Sequence, residues 1–422
     1  MKSKADFYLR GGPGDGTAPA LPSNSPASIL LVAGEASGDR HGARLVAEIR
    51  QRLPQAQFWG IGGEALAAQG VRLLARAEDL AVVGLTEVTG RLPAVIQALR
   101  EINRVLREER PALTILIDFP DFNFLVARLA KWRGVPVMYY ISPQVWAWRR
   151  HRVRTIARYV DRMVVIFPFE EGFYREWGVP VTFVGHPLKE TLPKLPRREI
   201  LLKEWGLDPE RLTMALLPGS RGSEIERHLP LMLAAAQLVR EALPEVQFLL
   251  PLASTAPRGL VEGMIRRFLG EGPGNTGPFS PIRIIPGQAY AALAAAHLAV
   301  VASGTVTVEA ALAGTPTVIM YRLAPLTFQV AKLLIRVDHI GMANLLAGEG
   351  LFPELIQEEC TPESLAREVL RWVREPERLA RVRPGLARAV ERLGPPGASR
   401  RAAEVALEVI KVEERTGEPQ PL

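Results

Sequence analysis

The chain predicts an α/β protein of two doubly wound domains facing a cleft, on three observations. Short apolar runs alternate with segments of helical spacing over most of the 422 residues, the signature of parallel strands joined by helical crossovers. Three turns of small residues, 34–39, 217–224 and 302–309, each follow an apolar run and open a helical one. The first falls in the front half and the other two in the back half, with a charged, proline-bearing stretch, 189–199, between the two series.

In chain order, residues 1–27 are rich in Gly, Pro, Ala and Ser without periodicity and read as a disordered lead-in. The run Ser28 to Ala33 is the first strand, and Arg40 to Arg52 has helical spacing. A second strand ends at Gly60 to Gly63, and further strands are expected at 113–118, 135–141, 163–167 and 181–184. Residues 28–188 thus form an N-terminal domain. The second series places strands at 213–217, 247–250, 282–285, 298–302 and 317–320, with helices from Pro362 to Val412. Residues 189–412 are expected to form the C-terminal domain with its terminal helices, 270–281 a surface loop, and 413–422 a frayed tail.

Composition narrows the class. A hydrophobic share of 48% with 23% charged residues fits a soluble globular enzyme. No apolar stretch reaches the roughly 20 residues needed to span a bilayer, and the opening Met1 to Asp6 lacks the apolar centre of a secretory signal, so a cytosolic protein is expected. One cysteine, Cys360, leaves no internal disulfide and no clustered-cysteine metal site. His41, His228 and His297 show no metal-ligand spacing either. The net charge of +7 favours an anionic contact, either a phosphorylated substrate or an acidic membrane face. Nucleic acid is disfavoured because arginine is spread along the chain and no recognition module is evident; the densest run, 149–154, reads as a solvated helix face.

The three turns carry the chemistry. Small residues let backbone approach a phosphate, and the helix that follows aims unpaired N–H groups and its positive end at the anion. In the second turn Ser223 and Glu226 have capping-box spacing, and Arg221 supplies a planar, permanently charged fork for a diphosphate. In the third, Ser303, Gly304 and Thr305 follow a strand, and Glu309 either binds vicinal sugar hydroxyls or complements the helix N-terminus. In the first, Asp39 is an N-cap or a catalyst, while Glu35 lies at a strand end where open α/β sheets collect ligands. Asp118 and Asp121, in Ile117 to Asn123, occupy the same kind of position beside aromatics that raise a carboxyl pKa. Asp118 is the preferred general base, with Asp121 and Glu35 the remaining carboxylates. Trp146 and Trp148 read as packing residues, and His186 as a hinge residue or a phosphate contact. A nucleotide-linked substrate follows from these turns.

Six stretches, in order, resemble the lipid-A-disaccharide synthase family: 32–39, 117–123, 141–148, 216–221, 302–305 and 344–348. The resemblance covers about Ile29 to Arg371. It implies a GT-B architecture, two Rossmann-like domains with the nucleotide mainly on the C-terminal one. It also implies transfer of a sugar from UDP-2,3-diacylglucosamine to 2,3-diacylglucosamine 1-phosphate, giving UDP and a β(1→6) disaccharide of the lipid A pathway with inversion. Asp118 matches the family's base. The donor set it implies is Gly219, Ser220, Arg221, Gly287, Gln288, Ser303, Gly304, Thr305 and Glu309, and the acceptor or other substrate contacts are Ser37, Gly38, Asn123 and Asn344. No metal or other cofactor is expected, since helix dipoles and arginine can stabilise the leaving diphosphate.

Acylated substrates imply peripheral work at the inner face of the inner membrane, and 82–96 is apolar enough to serve as an interfacial patch. A homodimer is a further candidate assembly. Two other readings fit the same turns: another GT-B enzyme such as a UDP-N-acetylglucosamine 2-epimerase, which acts on UDP-sugar alone, and a non-catalytic membrane-associated binding module, which binds UDP without turnover.

Overall fold

A computed structural model describes residues 27–80, 88–147, 150–253, 256–269, 282–324, 328 and 338–416. The N-terminal lead-in, the first part of the 82–96 segment, Trp148, the 270–281 loop and the end of the C-terminal tail lie outside the described residues.

The first lobe runs β1 (Ser28–Ala33), α1 (Ala36–Arg52), β2 (Gln57–Gly62), α2 (Glu64–Ala68), β3 (Arg72–Arg76), α3 (Ala77–Leu80), α4 (Val88–Glu108), β4 (Leu113–Ile117), α5 (Pro120–Trp132), β5 (Val137–Tyr140), α6 (Val153–Tyr159), β6 (Arg162–Val165), α7 (Pro168–Glu176) and β7 (Val181–Phe183). Its seven strands are parallel in the order β3-β2-β1-β4-β5-β6-β7. β1 and β4 are buried almost throughout, as apolar strands covered on both faces must be. Strand order reverses between β1 and β4, so the loops after these two strands diverge and leave a crevice.

After α8 (Leu188–Thr191) and α9 (Arg198–Glu204) the second lobe repeats the plan: β8 (Thr213–Leu217), α10 (Gly222–Ala242), β9 (Gln247–Leu252), α11 (Arg258–Leu269), β10 (Ile282–Pro286), α12 (Ala289–Ala295), β11 (Leu298–Ala302), α13 (Val306–Ala313), β12 (Thr317–Tyr321), α14 (Met342–Ala347) and β13 (Glu354–Ile356). The sheet order is β10-β9-β8-β11-β12-β13, again parallel, and the reversal falls between β8 and β11. α9 belongs with this lobe, because Arg198 donates to the carbonyls of Ala295 and Pro209.

Three helices close the chain: α15 (Pro362–Arg374), α16 (Glu377–Arg392) and α17 (Ala398–Thr416). Right-handed crossovers to either side of a switch point leave half of one sheet face bare in each lobe. α15 fills that gap in the second lobe, against α10, β11 and β12. α17 fills it in the first, against α1 and β4 to β6. The closing helix, grouped with the second domain on sequence adjacency, therefore packs on the first sheet. The two chain crossings lie side by side: His186 N–H donates to Leu393 O at 2.8 Å, and Arg401 Nε and Nη2 donate to Val184 O at 2.8 and 2.6 Å.

Candidate active site

All three turns and Asp118 sit at the carboxyl ends of the four strands that flank the two switch points: β1 and β4 in one lobe, β8 and β11 in the other. The two switch points meet. Arg221 Nη2, following β8, lies 2.9 Å from Glu35 Oε1, following β1.

On the first-lobe wall, Glu35 is the N-cap of α1, which begins at Ala36, four residues ahead of the sequence expectation, because extended backbone at Glu35 leads directly into the helix. Ser37 is exposed, and Gly38 is buried against Ile117 and Ala33, where helix meets strand and a small residue allows close packing. Asp39 caps α2 instead of its own helix: its carboxylate accepts N–H groups of Gly63 at 2.6 Å, Ala65 at 2.9 Å and Leu66 at 3.2 Å.

Asp118 and Phe119 are both left-handed, with φ of 45° and 51°. Such geometry costs on the order of 1–3 kcal/mol per non-glycine residue and persists only where surroundings enforce it. They do so here. Asn123 Nδ2 and Tyr139 Oη donate to Asp118 O at 2.6 and 2.5 Å. Phe119 lays its ring on Gly34 so closely that a Cβ at that residue would fall 2.1 Å from Cγ of the ring, which demands glycine there. Burial pushes the Asp118 carboxyl up to about 6, Glu35 adds to the rise, and the Phe119 N–H and the Arg221 charge oppose it. Asp121, by contrast, is exposed in the first turn of α5 and paired with Arg152 at 2.5 Å. Among the three candidate bases, Asp118 is the one whose carboxyl is raised by desolvation, and Asp121 lies on the rim. Asn123 is fully buried and donates its amide N–H groups to the carbonyls of Ile117 and Asp118, which supports the turn.

On the second-lobe wall, α10 starts at Gly222, so Ser223 is already inside the helix and the Ser223–Glu226 capping box does not form. Glu224 does the capping: its Oε2 accepts from Ser220 N–H at 3.2 Å and Arg221 N–H at 3.3 Å. Gly219 has φ of 118°, and a Cβ there would lie 2.5 Å from the same carboxylate oxygen. The loop is braced from below by His228, whose Nδ1–H donates to Pro218 O at 2.9 Å while Nε2 accepts Arg322 N–H at 3.2 Å. Burial holds that imidazole below its usual range.

Ser303 Oγ donates to Ile340 O at 2.9 Å, Gly304 faces open space, and Thr305 is exposed at the N-terminus of α13. Glu309 lies in the first turn of α13, and burial raises its carboxyl to about 7, with Arg40 of the first lobe pulling it down. Gly287 and Gln288 follow β10, two strands from β8, and Gln288 is the N-cap of α12. Tyr290, just beyond, is near enough to Glu309 for that carboxylate to help raise its phenol, after burial. Asn344 is fully buried: Nδ2 donates to Phe352 O at 2.9 Å and Glu354 Oε1 at 2.7 Å, and Oδ1 accepts Phe352 N–H at 3.0 Å. With both polar atoms engaged it stitches α14 to β13. Trp146 is buried and donates its indole N–H to Glu170 at 3.0 Å.

Sequence reasoning missed Tyr139, Glu224, His228 and Arg40. Tyr139 carries the one legible signal, a hydroxyl inside a parallel strand buried on both faces, which needs an acceptor. Among the described residues no group of three or more His, Cys, Asp or Glu side chains has metal-binding geometry.

Two doubly wound lobes with opposed switch points, a half-buried carboxylate on one wall and an arginine on the other, define an enzyme of the GT-B class. The fold matches solved structures: the UDP-N-acetylglucosamine 2-epimerase of Neisseria meningitidis bound to UDP-GlcNAc, at a TM-score of 0.60 and 12% identity over 91% of this chain and all of that one, and the glycotransferase of kitacinnamycin, at 0.57 and 16% over 91% and 99%. At such identity the likeness concerns fold alone. Sequence goes further. The family model described as lipid-A-disaccharide synthetase matches residues 29–409. The lipid-A-disaccharide synthase of Syntrophus aciditrophicus is 47% identical over 91% of this chain and 98% of its own, and that of Geobacter sulfurreducens 44% over 92% and 99%. The chain belongs to the lipid-A-disaccharide synthase family of glycosyltransferases.

Proposed function

We propose that this chain couples UDP-2,3-diacylglucosamine to 2,3-diacylglucosamine 1-phosphate with inversion, and that Asp118 is the base. In this reading the acceptor 6-hydroxyl oxygen bonds to the anomeric carbon of the donor as the anomeric carbon–phosphate oxygen bond breaks. The hydroxyl proton passes to Asp118, and the electron pair leaves on UDP, where Arg221 and the N-terminus of α13 at Ser303 to Thr305 offset the charge on the diphosphate. Glu309 is assigned to donor sugar hydroxyls, and Gly287 and Gln288 to the nucleotide. The observation that carries the reading is the meeting of the two switch points, with Asp118 half-buried beside Glu35 and Arg221 opposite. Family membership favours this reaction over 2-epimerisation, and a base beside a cation favours turnover over mere binding.

The test is UDP release with both acylated substrates. Asp118→Asn is expected to lose at least about a thousandfold in turnover; a folded variant with near-parental turnover removes the base assignment, and UDP-sugar consumed without acceptor favours the epimerase.

Because both proposed substrates carry acyl chains, we place the reaction at the inner-membrane surface, approached from the cytoplasm. No described helix is long and apolar enough to cross a membrane. Leu92, the first described side chain of the 82–96 segment, is 54% exposed near the start of α4, as an interfacial contact requires. Leu92→Asp is expected to weaken flotation with anionic liposomes; undiminished flotation of the folded variant counts against this patch.

A further inference from the structure

We propose that Tyr139 is a positioning residue for the transfer reaction: its hydroxyl, with the Asn123 amide, pins the main-chain carbonyl of Asp118 and so fixes the direction in which that carboxylate enters the cleft. The inference rests on the reading of Asp118 as the base.

Tyr139 lies in the middle of the first sheet, paired through β5 with Leu116 of β4. Its neighbours in β4 and β5 are almost all apolar, and a parallel strand covered on both faces has little use for a hydroxyl. The side chain is nevertheless fully buried, and its O–H is directed at Asp118 O, 2.5 Å away. Asn123, equally buried, reaches the same oxygen from α5 at 2.6 Å and also Ile117 O at 3.2 Å. Two donors from two different elements thus converge on one carbonyl, at the residue where the backbone turns left-handed.

That carbonyl is the lever. Rotating the peptide after Asp118 back toward ordinary φ would swing the carbonyl off both donors, leaving two buried polar groups unpaired. The pair of bonds therefore makes the left-handed turn the stable one. Burial, and after it the nearby Asp118 and Asp121 charges, push the Tyr139 phenol well above its ordinary range, so that it stays a donor. Asn123 N–H closes the turn on Phe119 O at 3.0 Å. Tyr139 touches no reacting atom; it acts through Asp118.

Tyr139→Phe removes the donor and keeps the ring. It is expected to lower kcat about ten- to a hundredfold with both KM values and the UDP dissociation constant within about twofold of the parent. The acid limb of its kcat–pH profile should move to lower pH, because an Asp118 carboxyl released from its buried setting returns toward the ordinary carboxylate range. A kcat within about twofold of the parent, or a loss of kcat with the acid limb unmoved, overturns the inference. Asn123→Ser, which deletes the other donor, is expected to show the same signature and stands in should Tyr139→Phe fail to fold. Adding Tyr139→Phe to Asp118→Asn should cost nothing more, whereas a further multiplicative loss overturns it. An inactive Asp118→Asn beside a fully active Tyr139→Phe removes this inference alone; an active Asp118→Asn removes the base reading itself.

Discussion

Asp118 is held in a setting that opposes its own charge. Its carboxyl titrates at about 6 in the folded chain against 3.8 ordinarily, chiefly through burial. The folded state therefore holds this proton more tightly than the unfolded one. The associated stability is complete below about pH 4 and is lost as pH rises toward 6, a difference of up to about 3 kcal/mol. Asp118→Asn should accordingly raise stability to urea at pH 8 by up to about that amount and leave it unchanged near pH 4; equal or lower stability at pH 8 would contradict the burial argument. The proposed use of Asp118 as base runs the other way, since a base acts only when ionised. The position of Asp118 was readable in the sequence because an acid directly after an apolar run, ahead of Pro120, has few other roles. The duties of Asn123 and Asn344 were not readable. A motif shows that a residue is retained with its neighbours, but the direction of an amide into the core is decided by packing.

Capping decides where elements begin, and it departs twice from spacing rules here. Ser223 and Glu226 have the right separation for a box, yet the helix already starts at Gly222 and Glu224 takes the amides. Asp39 could have capped its own helix; it reaches instead across to α2, with three N–H bonds and 7% exposure. Asp39→Ala strands those donors and should destabilise the first lobe by about 2 kcal/mol in chemical denaturation; a loss below about 0.5 kcal/mol would mean that water replaces the carboxylate freely. Strands were legible because buried parallel strands are continuous apolar runs. The destination of α17 was not, since an amphipathic stripe tells how much a helix buries and never against which sheet.

Across the whole molecule the lobes are joined in two ways of unequal strength. The Glu35–Arg221 pair is solvent-accessible on both sides, at 43% and 58%, and such pairs contribute at most about 1 kcal/mol. It can yield to a diphosphate without loss of the fold. The α17 contact cannot yield: Ala402, Ala403, Ala406 and Ile410 are buried in it, and Ser399 Oγ donates to Glu190 at 2.5 Å beside the crossing. A chain ending at residue 394 should therefore leave β4 to β6 uncovered and be recovered mainly in the insoluble fraction; a soluble truncated protein with parental melting temperature would show that the first lobe closes by itself.

The return of the last helix to the first sheet also bears on biosynthesis. Domains ordinarily mature in the order in which they leave the ribosome, but the flank of this first sheet is covered only by residues 398–416, which emerge after the whole second lobe. While the second lobe is being made, the apolar flank over β4 to β6 therefore waits for a partner roughly two hundred residues downstream, which couples maturation of the first lobe to completion of the second.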